Sequence, residues 1–267
     1  MMTRLISAGV ALAISCSVSG QSINIDFGDP ARVPDNAYGA AGLPGVWNTF
    51  GVIGAGGSGQ NLALVDRFGN ATAATIRNVG GTGLLITNDP ATSGDDDDLM
   101  DDMLTSMNNP IDACIWIDHL EAGTYEVLIY AMTPNDPALI SRTRVDFADQ
   151  GPAFIGGEWP GAHQQGITYS RHTVTIGANG TIGLHSGLLS ANVQSGINGI
   201  QIRRIPADCP GDATGDLQVD VEDLNSVLSA WGTNVPAGVG PDLANADGFI
   251  DVDDLNAVLG AWGSVCE

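Results

Sequence analysis

The chain has 267 residues and a formal net charge of −22, with 31 acidic residues against nine basic ones. This acidity excludes a protein that binds nucleic-acid phosphates through its own side chains. The hydrophobic content of 43% is too high for a disordered acidic chain, and 36 glycines favour strands and tight turns over a helix-rich fold. Abundant Asp also suits calcium, which takes oxygen ligands.

The N-terminal segment has the features of an export signal. Arg4 precedes an apolar stretch from Leu5 to Ile14, and small residues precede Gln21. This pattern predicts a signal peptide over residues 1–20 and a protein that is secreted, extracellular or associated with the cell surface. Cys16 leaves a lipoprotein as an alternative. No later segment is long and apolar enough to cross a membrane, so we expect no transmembrane span.

Residues 21–205 carry the alternating pattern of β-strands. Typical segments are Ser22–Phe27 and Tyr125–Ala131, and Gly, Pro and Asn lie between such runs. This arrangement predicts a mostly β domain, with the architecture of a jelly-roll-like β-sandwich. The Asn179-Gly180 pair predicts a hairpin between the two strands that flank it.

Three motifs of this domain resemble malectin-like or galactose-binding-like modules: INIDFG at 23–28, LEAGTYEVLIYA at 120–131 and INGIQIRRI at 197–205. The resemblance implies a carbohydrate ligand such as a polysaccharide, or a protein ligand. Aromatic side chains in loops can stack on sugar rings, and packing at the edge of the core is the alternative role. The candidates are Tyr38, Trp47, Trp159 and Tyr169.

No motif in the domain identifies a catalytic centre. The sequence contains neither a Gly-x-Ser-x-Gly elbow nor a His-Glu-x-x-His pair, and His163 and the other histidines are isolated along the chain. We therefore assign no catalytic residue. A second conspicuous feature, Asp95–Asp98 followed by Asp101 and Asp102, leaves three alternatives: acidic residues at a helix N-terminus, a calcium loop or a solvated turn.

An internal repeat at the C-terminus is the strongest pattern in the chain. Residues 219–232 read VDVEDLNSVLSAWG, and residues 250–263 read IDVDDLNAVLGAWG. Each copy is an Asp-rich loop followed by an amphipathic helix, and we expect the apolar stripes of the two helices to pack on each other. The stripes consist of Leu224, Val227, Leu228 and Trp231, and of Leu255, Val258, Leu259 and Trp262.

The loops have the spacing of twelve-residue calcium loops, in which positions 1, 3, 5, 9 and 12 offer side-chain oxygens and position 7 a carbonyl. The first loop places Asp212, Thr214, Asp216, Gln218, Asp220 and Asp223 at positions 1, 3, 5, 7, 9 and 12. The second places Asn245, Asp247, Phe249, Asp251 and Asp254 at positions 3, 5, 7, 9 and 12. We expect Val219 to pair with Ile250 between the loops.

Two positions depart from this pattern. Leu217 occupies position 6 of the first loop, where glycine normally permits the sharp turn. Position 1 of the second loop is Leu243, and the nearest acid, Asp242, lies one residue early. A one-residue bulge would bring Asp242 to the metal. The sequence therefore predicts two Ca²⁺ sites of unequal or reduced affinity.

Paired calcium loops with Asp at position 12, each followed by one helix, resemble a type I dockerin. The resemblance covers about residues 209–267 and implies a domain over 206–267 that folds with calcium and docks to a cohesin-like partner. Cellulosomal dockerins usually carry Ser-Thr at loop positions 10 and 11. Val221-Glu222 and Val252-Asp253 stand there, which implies a partner other than a standard cohesin.

Cys209 and Cys266 bracket this domain, and an oxidising compartment would let them form a disulfide bond. Such a bond would stabilise the domain by about 4 kcal/mol in the chain-entropy model.

Taken together, the patterns predict a secreted calcium-binding adaptor. It would consist of a β-sandwich that binds a carbohydrate or protein ligand and a small all-α dockerin-like module with two EF-hand-like loops. One alternative is an enzyme of polysaccharide catabolism, a hydrolase or lyase delivered by the dockerin-like module. The second alternative is a structural surface protein.

Overall fold

The computed structural model describes residues 21–51, 61–79, 82–86, 90–106, 113–187, 193–194, 196–205, 209–214, 218–235, 240–245 and 247–264. The predicted signal peptide lies outside these residues. The chain divides into a larger unit within residues 20–208 and a smaller unit within residues 209–266. No helix in the described ranges is long and apolar enough to cross a membrane.

The larger unit consists of strands and one short helix. In chain order they are β1 (Ser22–Asp26), β2 (Trp47–Thr49), β3 (Asn61–Val65), β4 (Ala71–Val79), β5 (Thr82–Ile86), α1 (Asp95–Met100), β6 (Asp102–Ser106), β7 (Ala113–Leu120), β8 (Gly123–Tyr130), β9 (Ile140–Val145), β10 (Ala153–Gly156), β11 (Tyr169–Ile176), β12 (Gly180–Ser186), β13 (Val193–Gln194), β14 (Gly196–Ile197) and β15 (Gly199–Ile205).

These strands form three sheets. The first has the order β11-β8-β15-β1-β2, and the second has the order β10-β9-β12-β7-β4-β3, with β13 beside β9. The third is small and has the order β14-β6-β5. Strand β1 runs antiparallel to β15, with Ile25 opposite Ile200, and parallel to β2. The first motif of the sequence therefore lies beside the last one.

One hydrophobic core joins the two large sheets. Ile25 and Val127 of the first sheet belong to the same buried cluster as Ile76 and Ile117 of the second. In β1 and β4, alternating residues supply this core, because successive side chains of a strand point to opposite faces, whereas β8 contributes the consecutive residues 127–130. The prediction of a mostly β, sandwich-like domain is confirmed at this level.

The predicted hairpin at Asn179-Gly180 is wrong in its pairing. The turn is present, because Asn179 has a positive φ of 55° and the Gly180 N–H donates to the carbonyl of Gly177. However, β11 pairs with β8 in the first sheet, whereas β12 pairs with β7 and β9 in the second. Val174 of β11 and Leu184 of β12 are both buried in the shared core, and the two strands cover this core from opposite sheets.

The smaller unit contains two equivalent helices, α2 (Val221–Ser229) and α3 (Val252–Gly260). Its core is small and draws on both copies of the repeat. The buried members are Ala213, Val219, Val227, Ile250 and Val258.

Candidate functional site

Each helix of the smaller unit begins with the same hydrogen-bonded cap. Asp220 caps α2 and Asp251 caps α3, and each side chain accepts a hydrogen bond from the backbone N–H two residues later. The carboxylate three residues after each cap, Asp223 or Asp254, accepts in return from the N–H of the cap residue. This reciprocal capping box fixes the direction in which each loop enters its helix.

Asp223 organises the first loop from a fully buried position. Its Oδ1 accepts hydrogen bonds from Ala213 N at 2.9 Å, and from the N–H and hydroxyl of Thr214, both at 3.0 Å. Its Oδ2 accepts from Asp220 N at 2.8 Å. Burial alone would raise the pKa of Asp223, but these donors outweigh it and hold the pKa below its ordinary value. The carboxylate is therefore ionised at neutral pH.

Asp254 repeats this arrangement in the second loop and resolves its register. Its Oδ1 accepts from Leu243 N at 2.8 Å and from Ala244 N at 2.9 Å. These are the two residues that follow Asp242, just as Ala213 and Thr214 follow Asp212. Asp242 therefore takes the place that corresponds to Asp212, and the second loop is one residue longer. The Oδ2 of Asp242 accepts from Gly248 N at 3.0 Å, and Asn245 adopts a positive φ of 63°.

The loop residues are rich in the oxygen donors that calcium prefers. Each carboxylate oxygen has two lone pairs, and a single described donor reaches the Oδ2 of Asp223 and of Asp254. Among the described contacts, one lone pair on each of these Oδ2 atoms is therefore left to bind a cation. Within those residues, no three acidic, His or Cys side chains form a metal-binding group. Asp216 lies outside the described ranges, and the predicted ligands stay a prediction.

The predicted packing of the helix stripes is only half right. Val227 and Val258 are fully buried, but the larger members of each stripe reach solvent because the core of this unit is small. Side chains at equivalent positions of the two copies are between 46% and 55% exposed. Each copy therefore carries an apolar face, as we call it below: Val221, Leu228 and Trp231 in the first copy, and Val252, Leu259 and Trp262 in the second.

Val219 and Ile250 share the core, but their backbones pair elsewhere. Ile250 exchanges hydrogen bonds with Gly232 and Thr233, which follow α2, at 2.9 and 3.1 Å. Val219 does the same with Gly263 and Ser264, which follow α3, at 2.8 and 2.9 Å. Each loop is therefore joined to the end of the other helix, which corrects the predicted loop-to-loop pairing.

Cys209 packs against the core of the smaller unit. Its predicted partner, Cys266, lies outside the described residues, so the disulfide bond stays a prediction.

In the larger unit, the four predicted aromatic residues belong to one cluster around His163, and two of them contact its ring directly. Trp159 meets its ring edge-on at 5.4 Å between centroids, and Tyr38 lies 6.1 Å from it. Trp47 packs beside Tyr38 at 6.1 Å. Tyr130 lies 5.0 Å from His163 and 5.7 Å from Tyr169. The sequence did not single out His163 or Tyr130 for this cluster.

Burial divides the predicted aromatics into two pairs. Trp47 and Tyr169 are buried, so core packing covers their rings. Tyr38 and Trp159 are half-buried and pack against the edge of the core. Of the four predicted aromatics, these two are the ones that a ligand can reach.

The hydroxyl of Tyr38 connects two polar groups. It donates to Asp96 Oδ1 at 2.5 Å and lies 2.5 Å from His163 Nε2. Burial, followed by the bond to Asp96, raises the pKa of Tyr38 far above its ordinary value. Burial lowers the pKa of His163 and outweighs the attraction of Asp96. A neutral His163 that donates from Nε2 to Tyr38, which donates to Asp96, gives every proton an acceptor.

The acids Asp95–Asp98 form the first turn of helix α1 and hold the loop that carries Tyr38. Asp95 accepts a hydrogen bond from Asp35 N at 2.7 Å, Asp96 binds Tyr38, and Asp97 pairs with Arg32 at 2.8 Å. The helical alternative is thus confirmed by α1, with all four consecutive acids in its first turn. These carboxylates therefore hold the loop between β1 and β2 through hydrogen bonds and an ion pair. The run is not simply a solvated turn.

Comparisons with known proteins assign no family. No family profile and no curated protein matches the chain. Among solved structures, the ANXUR1 extracellular domain from Arabidopsis thaliana is 16% identical, with a TM-score of 0.38, over 69% of this chain and 48% of that one. A complex of the plant peptide RALF23 with FER and LLG2 is 13% identical, with a TM-score of 0.38, over 74% of this chain and 43% of that one.

A calcium-binding mutant of Bacteroides uniformis beta-glucuronidase 2 gives 11% identity and a TM-score of 0.37, over 70% of this chain and 18% of that one. The chain therefore spans less than half the length of these three structures. Similarities of this size leave the function to be argued from the residues themselves.

Proposed function

We propose that this protein is an exported adaptor whose smaller unit is a calcium-ordered docking module of the dockerin type. One observation carries the proposal: the two loop–helix copies have the same capping, the same buried carboxylate at the end of the loop and equivalent apolar faces. Calcium would lie in the loops between Asp212 and Asp223 and between Asp242 and Asp254. Bound there, it would offset the repulsion among the loop carboxylates.

The two apolar faces supply the docking surface of this proposal. Each presents a Val, a Leu and a Trp, and several exposed large apolar side chains on or just after one short helix are typical of binding surfaces. Val221 and Val252 stand where cellulosomal dockerins usually carry serine. The partner would therefore be a cohesin-like protein whose docking surface is apolar at the matching positions.

The docking function is tested with the full chain and immobilised cohesin-like modules whose docking surface is apolar at the matching positions, in Ca²⁺ and in EDTA. We expect calcium-dependent binding that falls at least tenfold when Trp231 and Trp262 are both replaced by Ala, since large buried aromatics dominate such interfaces. The matched control replaces Asn225 and Asn256, exposed on the same helices, by Ala and leaves binding unchanged. Binding that survives chelation or the double Trp replacement would contradict the proposal.

The aromatic cluster favours a second function, binding of a carbohydrate by the larger unit. Trp159 and Tyr38 offer ring faces at the edge of the core, and Asp96 and His163 place hydrogen-bonding groups beside them. An aromatic face next to fixed polar groups is an arrangement that can bind a sugar ring and its hydroxyls. The raised pKa of Tyr38 keeps its hydroxyl protonated, so we assign it a binding role and no role as a base.

For this second function, we expect Trp159→Ala to weaken retention on a glycan array about tenfold, which corresponds to about 1.4 kcal/mol. Phe154→Ala is the matched control, because Phe154 is an exposed aromatic in the neighbouring strand β10 that lies outside the cluster. Equal losses for the two variants would sink the site. Release of products from the bound sugars would favour the polysaccharide-degrading alternative.

A further inference from the structure

Asp26, the last residue of β1, is a buried carboxylate without hydrogen bonds. The residue is fully buried, and neither Oδ1 nor Oδ2 has a hydrogen-bond partner among the described residues. Burial of an ionised carboxylate is unfavourable by several kcal/mol unless a charge or a set of donors compensates it. The chain therefore holds a strong acceptor in its core that requires a positively charged partner or a proton.

Asp102, the first residue of β6, lies against the same stretch of backbone. A Cβ placed on Gly28 would stand 2.2 to 2.3 Å from the carboxyl atoms of Asp102, so this carboxyl group occupies the space of the missing side chain. Asp26 lies opposite Gly199 in the first sheet, and the preceding Asn198 donates through its Nδ2 to the carbonyl of Asp102, so the two acids lie in the same small region of the core. Asp102 Oδ2 accepts from Asp29 N at 2.8 Å, but Oδ1 has no partner among the described residues.

The surrounding charges do not compensate this pair. Arg32 lies 2.8 Å from Asp97, 3.9 Å from Asp98 and 3.7 Å from Asp101, and makes no described ion pair with Asp26 or Asp102. Burial, then repulsion by Asp102 and by Asp98, raises the pKa of Asp26 well above its ordinary value, while Arg32 acts in the opposite direction. Burial also raises the pKa of Asp102 to about 6.

We propose that Asp26 and Asp102 bind a Ca²⁺ ion inside the larger unit, separate from the two loops of the smaller unit. Their three free oxygens are not hydrogen-bonded to each other, and a cation with bonds of about 2.3–2.6 Å would bridge them. Two carboxylates neutralise one divalent ion. Since no three acidic, His or Cys side chains form a metal-binding group in the described ranges, backbone carbonyls and water supply the other ligands.

The site would join segments that are distant in the chain. It connects the end of β1 with the start of β6, and Asp102 already holds the loop after β1 through Asp29 N. This role also accounts for Gly28, since any side chain there would displace the Asp102 carboxyl group.

The test counts calcium ions on the intact chain by native mass spectrometry after dialysis against CaCl₂. We expect Asp26→Asn to carry one Ca²⁺ fewer than the wild type. Asp97→Asn is the matched control, an acid of the same region that is already paired with Arg32, and keeps the wild-type count. The loops of the smaller unit are unchanged in all three chains, so the difference of one is expected whether or not those loops bind calcium.

Thermal unfolding provides the second readout. Because Asp26→Asn removes a buried charge, we expect its Tm in EDTA to be higher than that of the wild type. We also expect Ca²⁺ to raise its Tm by less than it raises the Tm of the wild type. Asp102→Asn, which keeps an oxygen for Asp29 N, is expected to behave in the same way. Equal calcium counts for the wild type and both Asn variants, with equal stabilisation by Ca²⁺, would overturn the proposal and leave the pair as protonated carboxyl groups.

Discussion

Replacement of Asp223 by Ala is expected to unfold the smaller unit. The side chain is fully buried and accepts four hydrogen bonds, three of them from backbone N–H groups. These N–H groups have no other described acceptor in the loop. Loss of these charge-assisted bonds costs on the order of 4 kcal/mol. The total stability of a unit of this size is about 3–9 kcal/mol, so the folded state loses most or all of its margin.

Hydrogen exchange on the amides of α2 and α3, together with far-ultraviolet circular dichroism, measures this effect. Glu222→Ala is the matched control: it removes an exposed acid from the same helical turn and costs at most about 1 kcal/mol through the helix dipole. Asp223→Asn keeps one acceptor oxygen and should fall between the two. Protection of α2 that is equal in Asp223→Ala and Glu222→Ala would refute the role of this carboxylate.

The second large effect is expected at Asn198, between β14 and β15. Its Nδ2 donates to the carbonyls of Met100 and Asp102 at 2.9 and 3.0 Å, and its Oδ1 accepts from Met132 N at 2.8 Å. Asn198→Ala leaves these buried groups without partners and costs about 4 kcal/mol. For a unit of this size we expect the Tm to fall by roughly 8–16 °C.

Differential scanning calorimetry of the full chain gives this shift. Asn70→Ala serves as the control, because Asn70 is exposed and its side chain bonds Asp66 within one turn at 3.0 Å. We expect Asn70→Ala to lower the free energy of unfolding by less than about 1 kcal/mol. Similar Tm values for the two variants would mean that Asn198 does not secure α1 and β6 to the first sheet.

Local chemistry made several features predictable. The repeat predicted one helix in each copy, and α2 and α3 form there, each capped by an Asp of the preceding loop. The alternating run that begins at Ser22 forms β1. The early position of Asp242 implied a longer second loop, and the hydrogen bonds of Asp254 support that register. In each case the signal and the structure are separated by only a few residues.

Features that depend on distant contacts were not predictable. Asn179-Gly180 specifies a turn, but the sheets that receive β11 and β12 depend on a core assembled from the whole domain. Tyr38 and His163 are 125 residues apart, and their contact depends on the hydrogen bonds by which α1 holds the loop between β1 and β2. Nothing near Asp26 in the sequence shows that Asp102 will lie over Gly28.

The crossed backbone pairing of the smaller unit bears on the origin of its repeat. Val219 is bonded to residues after α3, and Ile250 to residues after α2, at matching distances. A single loop–helix copy has no such neighbour of its own, but two identical copies would satisfy each other in this same exchange. The present unit is thus what gene duplication and fusion of a symmetric dimer would produce, and its two halves are expected to fold as one cooperative unit.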